Sequence, residues 1–271
     1  MGMVMPVAPL PVAPLPVAPL PVAPLPVAPL PVAPLPVAPL PVALLLFDID
    51  GTLLRTRGAG REATRLALLE VFGTAGAVAT HHFSGKTDWF TLVELLEGEG
   101  FTHDQIVERM AVYDEAVGRH TGTIIGGYEV ESCPGAPETI AALRPRRDLL
   151  LGLVTGNARQ SAPHKLRAAG FDPAWFPVGA FGTEAHQRDD LTPLALQRAV
   201  DHLGATPAPV IVIGDTPMDV ACARAIGAIA VVVETGFATR DELIASAPDH
   251  LLPDLTGFVA LLDSLIMVPR P

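Results

Sequence analysis

Hydrophobic positions along this chain follow two rhythms. Short unbroken apolar runs alternate with stretches where apolar residues recur every three or four positions. A strand buried on both faces needs the first pattern, and an amphipathic helix needs the second. Val42 to Phe47 (VALLLF) is the first run, and it stops at Asp48-Ile49-Asp50-Gly51-Thr52, an acidic turn containing glycine. Helical spacing follows over Gly60 to Phe72, over Asp88 to Leu96, and from Thr102 to about Arg119. The last of these opens with a capping box, Thr102 to Gln105. A helix over Pro137 to Leu143 then leads into regular alternation. Strands are predicted at Leu149–Val154, Val178–Phe181, Val210–Ile213, Ile229–Val233 and His250–Leu252. Helices are predicted between and after them at Ser161–Ala169, Thr192–Leu203, Asp219–Ile226, Thr239–Ala245 and from Leu255 onward. This order predicts an α/β fold: a doubly wound, Rossmann-like parallel sheet, with an all-helical insertion after its first strand. The expected organisation is a low-complexity tail over 1–42, a core over 43–57 and 126–271, and a helical cap over 58–125.

Composition changes the picture at the front of the chain. Of the 29 prolines, 15 lie between Pro6 and Pro41, where PVAPL repeats seven times without substitution, and the first charged residue is Asp48. Proline at two positions in five fixes φ and removes donors, so the tract is expected to be disordered or a polyproline-II rod. It reads either as a spacer that docks a partner gripping proline-rich ligands, or as a repeat expansion or a translation start placed too far upstream. The net charge of −11 argues against nucleic acid or an anionic membrane as the main partner. Cys133 and Cys222 lie far apart without CxxC spacing, which indicates neither a disulfide framework nor a thiolate zinc site and fits a reducing cytoplasm. No signal-peptide or membrane-spanning pattern is present. His81, His82 and the two tryptophans have a simpler reading: the histidines as surface loop residues, Trp89 and Trp175 as packing anchors.

Reactive groups in doubly wound sheets gather at the carboxyl ends of the strands. Here those ends are Asp48-Ile49-Asp50, Thr155-Gly156-Asn157 and Gly214-Asp215, with Asp219 four residues on. Any one of them alone reads as ordinary turn chemistry. Together they bring four carboxylates and a hydroxyl to one edge, where like charges repel unless a cation such as Mg²⁺ sits among hard oxygen ligands.

FDIDGT, LVTGN and VIGDTPMD, in this order and spacing, resemble the haloacid-dehalogenase superfamily of phosphohydrolases, over essentially all of 43–265. The helical insertion resembles the small cap of the phosphoglycolate-phosphatase-like branch. The resemblance implies a Mg²⁺-dependent phosphatase acting on a small phosphorylated metabolite, in a monomer or homodimer. It makes Asp48 the nucleophile that forms an aspartyl-phosphate, and Asp50 the acid and base. It places Mg²⁺ on the Asp48 carboxylate, the Asp50 carbonyl and Asp215, with Asp219 as an indirect or water-mediated ligand. Thr155 would bond the phosphoryl group, helped by Gly51, Thr52, Gly156 and Asn157. Lys86, in Phe83-Ser84-Gly85-Lys86-Thr87-Asp88, falls in the family's specificity loop and would suit an anionic substrate group.

The chain departs from the family pattern in one part. The lysine expected before the helix after the third strand is missing from Gly182 to Leu191, leaving Arg188 closest to its place and Lys165 as the other candidate. An acid/base aspartate at position 50 favours phosphatase or phosphomutase over dehalogenase. Phosphonate cleavage would need Lys86 for Schiff-base chemistry. Outside enzymology, the alternatives are a receiver-like signalling module and a binding protein on a disabled hydrolase core.

Overall fold

The strands of the computed structural model, which describes residues 43–267, are β1 (Ala43–Phe47), β2 (Leu54–Arg55), β3 (Glu131–Ser132), β4 (Leu149–Thr155), β5 (Val178–Phe181), β6 (Val210–Gly214), β7 (Ile229–Val233) and β8 (His250–Leu252). The proline-rich tract falls outside the described residues. Six strands form one parallel sheet in the order β5-β4-β1-β6-β7-β8. The helices are α1 (Ala59–Phe72), α2 (Asp88–Leu96), α3 (His103–Ile124), α4 (Ala136–Leu143), α5 (Ala162–Ala168), α6 (Leu191–Leu203), α7 (Pro217–Ala225), α8 (Arg240–Ala245) and α9 (Phe258–Met267). Among the described residues no helix is long and apolar enough to cross a membrane.

Successive side chains of a strand point to opposite faces, and this decides the two cores. Ala43, Leu45 and Phe47 of β1 join Leu151, Ile213 and Val231 beneath α4, α5 and α9. Leu44 and Leu46 join Val154, Val212 and Val232 beneath α6, α7 and α8. All of β1 is buried, so its sequence has no polar face to alternate with. A third apolar cluster belongs to α1, α2 and α3, where Leu68, Leu92, Leu96, Ile106 and Tyr113 meet, and Ala158 from the turn after β4 joins it.

Two features escaped the periodicity. The chain crosses between the sheet and the helical segment through a short antiparallel ribbon, with Leu54 opposite Ser132 and Arg55 opposite Glu131. Two-residue strands are too short to carry a rhythm. Helix α3 also continues to Ile124 rather than ending near Arg119. The closing helix is preceded by a single 3₁₀ turn, Leu255–Gly257. Parallel pairing of β4, β1 and β6 brings the three strand ends that carry Thr155, Asp48 and Asp215 side by side, which assembles the site described next.

Candidate active site

Asp48 lies just past the end of β1, between its two neighbouring strands, and its amide donates to the Ile213 carbonyl at 2.9 Å. Asp48, Asp215 and Asp219 are all buried and offer carboxylate oxygens within 4.8 Å of one another. Two like charges about 5 Å apart repel by roughly 3 kcal/mol at an effective dielectric near 20. Burial pushes Asp48 up to about 6 although Arg188 pulls it down, and Asp219 adds to the rise. Burial, then Asp48 and Asp219, push Asp215 well above the carboxylate range. Three carboxylates facing one guanidinium are under-compensated, and that donor set of hard oxygens fits a divalent cation. The cradle is tight: a Cβ on Gly236 would lie 1.6 Å from an Asp215 oxygen, and one on Gly51 2.4 Å from it. Gly51 also has φ of +92°, a conformation that favours glycine.

Arg188 and Lys165, open alternatives for one cationic role in the sequence, are both buried and serve different carboxylates. The Arg188 guanidinium lies 3.0 Å from Asp48 Oδ2 and 2.6 Å from Asp219 Oδ1. Lys165 Nζ donates to Asp50 Oδ2 at 2.7 Å, and Asn157 Nδ2 donates to the same oxygen at 2.8 Å. Lys165 is 5% exposed, so it is not a solvated helix lysine. Asn157 also joins Thr155 Oγ1 at 2.7 Å and receives Lys165 Nζ at its Oδ1, so its side chain braces the site internally. Thr155 beside it pulls the Asp48 carboxyl down, more weakly than Arg188 does.

Asp219 acts as an anchor. Its Oδ2 accepts the amides of Asp215 and Thr216 at 3.1 and 2.9 Å and the Thr216 hydroxyl at 2.7 Å, while Oδ1 takes Arg188. Both its oxygens are engaged; Asp215 accepts the Thr52 hydroxyl at 3.0 Å on Oδ1 and the Phe237 amide at 3.4 Å on Oδ2.

The Gly51–Thr52 turn departs from its expected role as a phosphate cradle. The Gly51 amide already donates to the Leu54 carbonyl at 2.8 Å and the Thr52 amide to the Ile49 carbonyl at 3.3 Å. Tight turn geometry satisfies those donors locally, and Thr52 contributes its hydroxyl to Asp215 instead.

A pocket of about 600 Å³ opens beside these groups, lined in part by Asp48, Asp50, Thr155, Lys165 and Arg188. The loop before α2 forms its other wall. Lys86 lines it, and its ammonium pairs with Glu94 in a solvent-exposed ion pair. A Cβ on Gly156 would fall 2.0 Å from the Lys86 carbonyl oxygen, so glycine is what lets this loop seat on the strand ends. Seating is completed by the amides of Asp88 and Trp89, which donate to the Gly156 and Gly182 carbonyls at 2.8 and 2.9 Å.

Asp88 also lines the pocket, a position that its sequence context does not single out. Its Oδ2 accepts the Ala158 amide at 2.9 Å. Burial raises its carboxyl to about 7, against the opposing pull of Lys165. The available signal was Thr-Asp at a helix start, which reads equally as an N-cap with a first-turn acid. His81, expected at the surface, is 9% exposed at its side chain and packs edge-on to Phe83. Cys133 and Cys222 are buried free thiols.

A family model described as a haloacid dehalogenase-like hydrolase matches residues 42–227. The chain is 38% identical over 119 residues to the phosphoglycolate phosphatase of Synechococcus elongatus, an alignment covering 44% of this chain and 53%, about half, of that protein. It is 29% identical over 231 residues to Protein CbbY of Rhodobacter capsulatus, covering 79% of this chain and 93% of that one. It is 25% identical over 227 residues to the pyrophosphatase PpaX of Halalkalibacterium halodurans, covering 80% and 96%. Among solved structures, CbbY from Rhodobacter sphaeroides in complex with phosphate superposes with a TM-score of 0.60 at 21% identity, covering 83% of this chain and all of that one. A hydrolase from Pseudomonas syringae gives 0.57 at 23%, covering 83% and 99%. These two likenesses concern the fold.

Proposed function

This chain belongs to the haloacid dehalogenase-like hydrolases, and from that membership we propose that it is a Mg²⁺-dependent phosphatase cleaving the phosphate monoester of a small metabolite. The observation that carries the reading is the separation of two aspartates only two residues apart. Asp48 lies in the carboxylate cluster with Arg188 and Thr155, while Asp50 turns its side chain to Lys165 and Asn157 at the pocket. A nucleophile must stay ionised close to cationic charge, whereas a proton carrier must face the leaving group.

In the first step an Asp48 oxygen forms a bond to phosphorus as the ester P–O bond breaks, and Asp50 delivers a proton to the departing oxygen. In the second, Asp50 takes a proton from water as that water's oxygen bonds to phosphorus. The Asp48–phosphorus bond breaks, inorganic phosphate leaves and the carboxylate is regenerated. Both known contacts of Asp50 fall on Oδ2, which leaves Oδ1 for the proton. Mg²⁺ held by Asp48, Asp215 and the Asp50 carbonyl would supply positive charge against the phosphoryl oxygens. Arg188 holds Asp48 in place and Asp219 fixes the turn that presents Asp215. Thr155 Oγ1 accepts Asn157 Nδ2, which leaves its own proton for the phosphoryl group.

The test is release of inorganic phosphate from p-nitrophenyl phosphate and a metabolite panel with Mg²⁺, by the wild type and Asp48→Asn. Asp48→Asn is expected to lose about 10³-fold or more in kcat, the usual scale for removing a covalent nucleophile. Equal turnover by the two proteins would overturn the reading. Migration of phosphate within a substrate without its release would move the assignment to a phosphomutase.

A further inference from the structure

Asp50 and its partner Lys165 mark the leaving-group side of the pocket. The start of α1 sits against that pair. A Cβ on Gly60 would lie 3.1 Å from Lys165 Nζ, and Gly58, Gly60 and Arg61 all line the pocket. Besides Lys165 and Arg188, four cations line it: Arg55, Arg57, Arg61 and Lys86. Arg55 and Arg57 share one carboxylate, Glu131, and Lys86 pairs with Glu94. Lys165 answers Asp50, and Arg188 answers Asp48 and Asp219. Among the described residues no carboxylate pairs with Arg61, whose polar contacts are two backbone carbonyls.

Arg61 is exposed yet held in place. Its Nη1 donates to the carbonyls of Val78 and Ala79, the second at 3.2 Å, and its guanidinium carbon lies 4.7 Å from the centre of the Phe83 ring. Those two bonds use both hydrogens of Nη1. Nε and Nη2 bond no protein atom among the described residues. That free edge carries two parallel N–H donors, the fork that fits a pair of carboxylate or phosphate oxygens. Backbone carbonyls are neutral, so they orient the guanidinium without cancelling its charge. Asp88 is the remaining carboxyl lining this side, and burial raises it to about 7, so below neutral pH it is mostly uncharged. The leaving-group side therefore carries a surplus of positive charge within a chain whose net charge is −11. A second anion on the substrate would meet that surplus without breaking an existing ion pair.

We propose that Arg61 holds a second anionic group on the leaving side of the substrate, a carboxylate or a second phosphate, through its Nε–Nη2 edge, so that the preferred esters carry two acidic ends. This rests on the phosphatase reading and names its substrate class. The full-length protein, with Mg²⁺, is to be compared on short ω-carboxyalkyl phosphates of increasing length, the matching alkanediol bisphosphates, and the hydroxyalkyl phosphates of the same lengths. At the best length the ester with a second acidic end is expected to exceed its hydroxyl counterpart in kcat/KM by about tenfold or more, the scale of a charge-assisted bidentate bond. The series that gains more, carboxylate or phosphate, identifies the group. Arg61→Gln is expected to cut that ratio about tenfold, and Arg61→Lys, which keeps the charge and loses the fork, to cut it less. Arg65→Gln, one turn further along α1 where Arg65 pairs with Glu62, should leave it unchanged. The ratio is internal to each protein, so a general loss of activity cancels from it. A ratio near one at every length in the wild type overturns the proposal, as does a ratio that Arg61→Gln leaves unchanged or that Arg65→Gln lowers equally. Loss of all Asp48-dependent hydrolysis is instead a failure of the phosphatase reading. Calorimetric binding of the same esters to Asp48→Asn, with and without Arg61→Gln, then decides the role of Arg61 by itself.

Discussion

Among the described residues Arg188 is the single buried cation paired within the cluster of three carboxylates, held by Asp48 and Asp219 together. Replacing it with methionine keeps the bulk and removes the charge, leaving buried anions uncompensated. The expected loss is about 3–5 kcal/mol in metal-free protein, read by urea denaturation, with Arg188→Lys intermediate and part of the loss recovered in Mg²⁺. Equal stability of the methionine variant and wild type would mean the cluster is neutralised some other way. Asp88 gives a prediction in pH. Its carboxyl is raised by burial from 3.8 to about 7, so the folded state holds a proton that the unfolded state releases near pH 4. Its contribution is therefore fully present below about pH 4 and is lost as pH rises through about 7. Asp88→Asn has no such loss. Its Tm relative to wild type should climb by a few °C between pH 5 and pH 8, on the scale of about 2–4 °C per kcal/mol for a protein of this size. A Tm difference that stays flat across that range would show that the carboxyl titrates normally.

Helix α2 illustrates what a single element contributes to the site. Thr87 caps it by accepting the Phe90 amide at 3.0 Å, and the same hydroxyl donates to the His186 carbonyl at 2.8 Å, tying the helix start to the strand-end loops. Thr87→Val keeps the shape and removes both bonds. It should cost about 1–2 kcal/mol and speed hydrogen exchange at the first amides of α2 more than in β1. Exchange that rises evenly over the whole protein would contradict that local role. The same scale shows what sequence could deliver. The alternation of strands and helices was legible because each element is long enough to repeat its period, and Asp48, Asp215 and Asp219 were legible because strand ends converge in a parallel sheet. The end of α3 was not. Gly118 and Gly122 look like helix breakers, yet a Cβ on the first would come within 2.4 Å of Gln160 and one on the second within 2.6 Å of His164. They allow close helix packing, and the helix runs through them. Lys165 was legible only as the alternative to Arg188; its partner was not, because the contact with Asp50 joins residues 115 positions apart and leaves no local trace.

At the scale of the molecule, the haloacid dehalogenase-like family model begins at residue 42, past the seven PVAPL repeats. A chain beginning at Val42 is therefore expected to keep its Tm to within about 2 °C, under 1 kcal/mol, and its kcat/KM with p-nitrophenyl phosphate to within about twofold. A larger fall in either would assign the PVAPL tract a part in folding or turnover. The ribbon of β2 and β3 bears on the history of such a chain. Leu54 and Arg55 are paired with Ser132 and Glu131, so the path out of the sheet layer and the path back lie against each other. The stretch between Thr56 and Val130 leaves and rejoins the sheet layer at that one ribbon, so its length sets no distance within the sheet. Insertion, deletion or wholesale exchange of that stretch can proceed while the strand ends bearing Asp48, Thr155 and Asp215 keep their spacing. Selection can then retune which compounds enter without rebuilding the chemistry that meets them.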